Sequence, residues 1–197
     1  MAQTSTTLSG AKSHISDVTG SDISFTATSG VYKITSTSTA LNNFAVRDII
    51  TVTGTSNNNQ SFTVKTVTDA NELIVEEITT SENADGSTVT TLDHTGFVTD
   101  KAKGDGYYSQ PDGVHTVSYQ VVNRGDSTDD FNGTIKMQGS LATTPTEDDW
   151  FDISGTTLTS DLSTTISSFN FTGNFVRVRA KIETTNSSGN GAMVSSI

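Results

Sequence analysis

Three groups of side chains in this sequence are of types that do chemistry. The first is the acidic run Glu147-Asp148-Asp149, directly before the only tryptophan, Trp150, and Phe151. A pair of carboxylates hydrolyses glycosides when the two face a sugar from opposite sides, about 5–10 Å apart. Neighbours on one loop do not meet that geometry, so a solvated acidic loop is the expectation. The second group is Asp126, Asp129 and Asp130 in GDSTDDF, whose oxygens are the hard donors that Ca2+ prefers. Their spacing is not that of an EF-hand loop and the glycine is misplaced for its turn, so a polar turn is expected and no metal is assigned. The third group is the histidines, His14, His94 and His115, which lie far apart and form no His-x-x-x-His pair. No phosphate loop, dinucleotide fingerprint or Gly-x-Ser-x-Gly elbow occurs. With no cysteine, disulfides, thiolate metal sites and thiol nucleophiles are excluded. The residues therefore predict no cofactor and no enzyme. Arg124-Gly125-Asp126 spells an adhesion tripeptide but reads equally as a Gly-Asp turn. The sequons at Asn132, Asn170 and Asn186 are expected by chance in a chain so rich in Ser, Thr and Asn.

The stretch that organises these residues is Ser140–Ile153, SLATTPTEDDWFDI. Thr144-Pro145 breaks a strand, because proline fixes an extended or turn conformation and cannot donate to a ladder. Trp150 and Phe151 then read as a structural anchor, an aromatic plug returning to the core. Burial of each is worth roughly 1.5–3 kcal/mol or more. A sugar-stacking tryptophan is the alternative.

A third feature is Arg177, Arg179 and Lys181, spaced i, i+2, i+4. On a strand they share one face, opposite Val176, Val178, Ala180 and Ile182. Against a net charge of −11, a basic row reads as a possible interaction surface for an acidic partner. Ordinary solvation, with pairing to carboxylates nearby, is the alternative.

Charged residues make up only 17% of the chain and hydrophobic ones 32%. Abundant Thr favours strands; Ser, Asn and Gly favour turns. No helix-length window carries an apolar stripe, whereas period-two alternation recurs. The acidic balance repels nucleic acid and anionic membrane, so neither is an expected direct partner. No apolar run approaches the ~20 residues of a membrane helix. MAQTSTTLSG has neither the basic nor the apolar part of a signal peptide, so no export signal is expected.

In order, residues 1–20 read as an extended N-terminal arm, ordered only against a neighbouring chain. Residues 21–95 read as a small β-barrel or sandwich with strands at Ser24–Thr28, Gly30–Ser36, Asp48–Thr53, Ser61–Thr66 and Glu72–Ile78. Residues 96–111 read as a linker, 112–186 as a β-sandwich, jelly-roll-like, and 187–197 as a tail. The fold class expected is all-β.

Leu41–Asn58 (LNNFAVRDIITVTGTSNN), then Ser61-Phe62-Thr63-Val64 and Leu73-Ile74-Val75, resembles a small β module that recurs in structural proteins of tailed bacteriophages. Arg47-Asp48 stands where that module has Gly-Asp, and Phe62 where it has Tyr. Gly104-Asp105-Gly106-Tyr107-Tyr108, DGVHTV at 112–117, FNGTIKMQGSLA at 131–142, Pro145, Asp149-Trp150-Phe151 and FTGNFVRVRA at 171–180 are similar to a domain of virion structural proteins of marine tailed phages. Arg177 stands where that pattern has Trp or Tyr. The resemblance implies a non-enzymatic virion protein made in the host cytoplasm: an exterior capsid decoration or cement protein, homo-oligomeric and seated on other virion proteins such as the major capsid protein. A tail, neck or fibre component is the alternative within that class, and a carbohydrate-binding module for host glycans the alternative outside it.

Overall fold

The alternating runs become strands throughout the computed structural model, which describes residues 5–121, 131–159, 166–184 and 192–197. In chain order they are β1 (Lys12–Ser13), β2 (Val18–Gly20), β3 (Ile23–Thr28), β4 (Val31–Ser36), β5 (Asp48–Thr53), β6 (Ser61–Asp69), β7 (Glu72–Val75), β8 (Thr90–Val98), β9 (Ala102–Lys103), β10 (Val114–Val121), β11 (Gly133–Ser140), β12 (Phe151–Asp152), β13 (Leu158–Thr159), β14 (Ile166–Thr172), β15 (Arg177–Thr184) and β16 (Ala192–Ser196). The only helical turns among the described residues are 3-10, at Asp105–Tyr108 and Glu147–Asp149. The protein is all-β.

The described chain forms two compact units. One is Ile15–Phe97, with antiparallel strand order β2-β8-β5-β6-β7-β4-β3. Strand β6 serves two partners. Ser61–Thr63 face β5, while Val64–Asp69 face β7 with register shifts at Val64/Thr66 and Val67/Asp69. Such bulges bend a strand and let it turn from one neighbour to the next. The inward set, Phe25, Ile34, Phe44, Phe62, Leu73 and Leu92, is buried, each side chain contributing roughly 1.5–3 kcal/mol.

Polar knots fix the loops of this unit. Asp22 accepts from the Ser36 hydroxyl at 2.6 Å, the Thr39 hydroxyl at 2.5 Å and the Ser38 amide at 2.6 Å, so its carboxyl is held far below the usual carboxylate range. The Thr55–Gln60 loop is tied by Asn58, fully buried, which bonds both the N–H and the C=O of Thr80. Glu82 accepts from the Ser56 and Asn57 amides.

The other unit takes the described residues of Val98–Asn186 together with both chain ends. One antiparallel sheet runs β1-β16-β10-β14. In the second, β11 lies between β15 on one side and the short β12 and β13 on the other, and β9 adds to β15. The inward set includes Tyr119, Phe131, Ile135, Met137, Ala180 and Ile182. The Tyr119 hydroxyl donates to the Thr156 carbonyl at 2.9 Å; the Thr156 hydroxyl accepts from the Met137 amide and donates to the Ile153 carbonyl. Burial pushes the Tyr119 hydroxyl pKa up.

The chain divides differently from the expected boundaries. Strand β8 continues through residue 95 to Val98. The expected linker 96–111 contains β9 and a 3-10 turn: Gly104 and Gly106 donate to the carbonyls of Val176 and Phe175. The described part of the N-terminal arm, residues 5–20, lies on its own chain. Leu8 donates to the Ile197 carbonyl, β1 pairs β16, and β2 pairs β8. Its backbone groups find partners within the protein, which satisfies them as well as a neighbour would. Residues 192–196 of the expected tail are strand β16.

Candidate interaction surface

The surface begins where β11 ends. Ser140 leads into the loop that carries the acidic run, and the loop folds back over the sheet instead of projecting into solvent. Its short 3-10 turn is closed by Asp149, whose carboxylate accepts from both the amide and the hydroxyl of Thr146 at 2.7 and 2.8 Å. The Thr146 amide bond holds the Asp149 carboxyl below its usual range. That closure aims Glu147 at β15. The chain then returns as β12, with Phe151 opposite Gly139 and Asp152 opposite Gln138.

Under the loop lies the basic row. Registers Ser140↔Arg177, Gln138↔Arg179 and Lys136↔Lys181 place all three cations on one face, as their spacing predicts. At its centre, however, that face is covered. Arg179 is buried, 5% exposed. Its two terminal nitrogens donate to Glu147 at 2.8 and 2.6 Å, and its Nε donates to Gln138 at 2.9 Å. The Arg179 guanidinium lies 4.3 Å from the centre of the Trp150 ring, a cation–π contact. Lys181 bonds Glu183 at 2.9 Å; Lys136 bonds Asp152 at 2.9 Å and Glu183 at 3.2 Å. Burial opposes the charges of Lys136, Asp152 and Glu183, yet hydrogen bonds among them, and for Glu183 the one from Lys181, outweigh it. Lys136 is held above its usual range, Asp152 and Glu183 below theirs. The expected docking row is thus corrected at Arg179: it is the centre of an internal, desolvated charge network. Adjacent Arg and Lys require compensating carboxylates when a loop excludes water from them.

Arg177 differs. Its Nε donates to the Thr143 carbonyl at 3.1 Å, and its guanidinium lies 4.6 Å from the Tyr107 ring. Lys103, its direct cross-strand neighbour, puts Nζ 4.1 Å from the same ring. Two like charges opposite each other are unfavourable; here the electron-rich ring sits within reach of both. Tyr108 stands edge-on to Tyr107 at 5.3 Å and is 59% exposed.

The expected aromatic anchor is also corrected. Phe151 is 44% exposed and Trp150 half-buried. Phe151 sits on a two-residue edge strand, and Trp150 lies on the polar side of the sheet over Arg179. The aromatic that fills this end of the core is Phe175. A Cβ on Gly139 would stand 2.6 Å from its ring, and one on Gly104 would strike its carbonyl oxygen. His115 stacks on Phe171 at 5.0 Å, and Phe171 lies 6.1 Å from Phe175. The signal for this was Gly139 near the end of an otherwise alternating strand, which marks a close approach by another group.

The remaining candidates are not brought together. His94 faces Asp48 at 3.6 Å and accepts the Ile15 amide on Nδ1, while His115 faces Asp105 at 3.3 Å. His14 is buried in the unit that holds His115, and His94 belongs to the other unit. Asp126, Asp129, Asp130 and the Arg124-Gly125-Asp126 tripeptide lie outside the described residues, as does Asn186. Among the described residues, no group of three or more His, Asp or Glu side chains is placed to hold a metal ion, and no helix is long and apolar enough to cross a membrane. No protein-family model, curated protein or solved structure matches the chain.

Proposed function

We propose that this chain is a structural component of a tailed-phage virion, an exterior decoration or cement protein of the capsid that assembles with itself and with other virion proteins. The observation that carries the reading is how the motifs of the resemblance are used. FNGTIKMQGSLA, Asp149-Trp150-Phe151 and FTGNFVRVRA contribute β11, the returning loop and β15, and their charged groups bind one another: Arg179 with Glu147 and Trp150, Lys136 with Asp152 and Glu183. Such residues maintain a rigid β unit. A tail, neck or fibre position uses the same unit equally well. Within the virion reading, gradient-purified particles from cells expressing the gene should contain this chain in stoichiometric amount, and immunogold should label the head. Label on the tail would move the assignment there, and absence from particles would overturn it.

A second reading, glycan binding, is favoured by one observation: Tyr108 and Phe151 are exposed on this unit. Against it, the Trp150 ring is engaged by Arg179. Glycan-array binding lost in Tyr108→Ala with the fold intact would establish it in place of the virion reading.

A further inference from the structure

Strand β14 closes one side of the sheet β1-β16-β10-β14. It pairs with β10 along its whole length, from Val114↔Thr172 to Gln120↔Ile166, without a register shift. Among the described residues, no strand pairs with its other side. Every second residue of an edge strand turns its N–H and C=O outward, and that row is a template for another strand.

Proteins usually blunt such an edge with lysine, proline, a bulge, very short length or a covering segment. Other edges of this protein show those devices. Strands β12 and β13 are two residues long. The outer side of β3 is covered by the bridge Phe25↔Glu82 and by the Ser81 hydroxyl accepting from the Ala27 amide. Strand β14, Ile-Ser-Ser-Phe-Asn-Phe-Thr, has seven residues, no charge and no proline.

We infer that β14 is a self-association edge, on which a second copy of this chain lays its own β14 antiparallel and joins the two sheets into one. Charge selects that occupant. Copies of a chain with net charge −11 repel each other, so they can meet closely only where carboxylates are absent. Neither β14 nor its neighbour β10 contains Asp, Glu, Lys or Arg. An antiparallel pair about a two-fold axis is self-complementary, since each residue meets its mirror position. About an axis near Phe169, exposed Ser168 and Asn170 of one copy would face Asn170 and Ser168 of the other, and Ile166, 65% exposed, would face Thr172. Hydroxyl and amide side chains placed so can hydrogen-bond across the pair. This inference rests on reading the chain as an assembly component and names the surface on which the chain meets itself.

The test uses the purified full chain, which should sediment as a reversible dimer. Ser168→Lys with Asn170→Lys sets like charges across the new pair and should raise the dimer Kd about tenfold or more. Asn83→Lys with Ser87→Lys, exposed positions in the other unit, makes the same change in net charge and should leave the dimer intact. The chain has no cysteine, so Ser168→Cys and Asn170→Cys proteins, mixed in equal amounts, give a second readout that does not depend on the lysine variant folding. The mixture should form a disulfide-linked dimer of the two variants under mild oxidation, because 168 of one copy faces 170 of the other and directly facing strand residues approach closely enough. Wild type that stays monomeric, a lysine pair that folds without weakening the dimer, or failure of the mixed cysteine variants to cross-link would overturn the inference. A monomer found in particles would overturn this edge and leave the virion reading standing. A dimer absent from particles would do the reverse.

Discussion

Removal of the Glu147 carboxylate tests whether the loop is held by the charge beneath it. Arg179 is 5% exposed and donates two hydrogen bonds to Glu147 of its own chain, at 2.8 and 2.6 Å. Deleting one partner of a buried ion pair costs about 3–5 kcal/mol, because the other charge stays desolvated and uncompensated. Here the Glu147 side chain is itself 23% exposed, and Arg179 keeps Gln138 and Trp150. Partial water access scales the cost of Glu147→Leu down to about 2–3 kcal/mol. Arg179→Met leaves Glu147 at the surface but removes the cation–π contact, at about 1–2 kcal/mol. The double variant buries no charge and should lie within about 1 kcal/mol of wild type. The cycle therefore predicts strong positive coupling. Urea unfolding followed by fluorescence of Trp150, the only tryptophan, reports this unit specifically. A Glu147→Leu protein within about 0.5 kcal/mol of wild type, or a double variant whose cost equals the sum of the singles, would refute the reasoning.

Asp93 has one buried oxygen without a hydrogen bond, and burial, then the neighbouring Asp17 carboxyl, raise its pKa to about 6 from 3.8. Its protonated form is thus favoured by folding: that stability is present below the unfolded pKa and is lost as pH rises through 6. Asp93 is part-exposed, so screening reduces the effect to about 1 kcal/mol, and Asp93→Asn should raise the melting temperature at neutral pH and leave it unchanged near pH 4. Gly139→Ala drives a methyl into the Phe175 ring and should cost about 1–3 kcal/mol by thermal melting, part of it recovered by adding Phe175→Leu. Asn58→Ala removes both hydrogen bonds from a fully buried amide to the Thr80 backbone and should cost about 1–3 kcal/mol, with faster hydrogen exchange at the Thr80 amide. Trp150→Ala should cost less than deleting a core tryptophan, about 1–2 kcal/mol, because the ring lies on the polar side of the sheet.

The sequence alone determined those strands whose side chains alternate cleanly. Val117, Tyr119 and Val121 alternate, as do Ile135 and Met137, and all of them are buried, because side-chain direction along a strand is a local property with period two. The same rule put Arg177, Arg179 and Lys181 on one face. It could not say what lies over that face. Whether Arg179 meets water or Glu147 depends on the path of the Ser140–Ile153 loop, and that path follows from the return of Phe151-Asp152 to the edge of β11. The core end went to Phe175 and not Trp150 because glycines from separate stretches, at 139 and 173, leave room for its ring, and Gly104 leaves room for its carbonyl. Their meeting is set by strand pairing across distant parts of the chain. The arm was equally undetermined: a polar segment can pair with any open edge, and only the tertiary structure, by presenting β16 beside it, decided that the edge is its own.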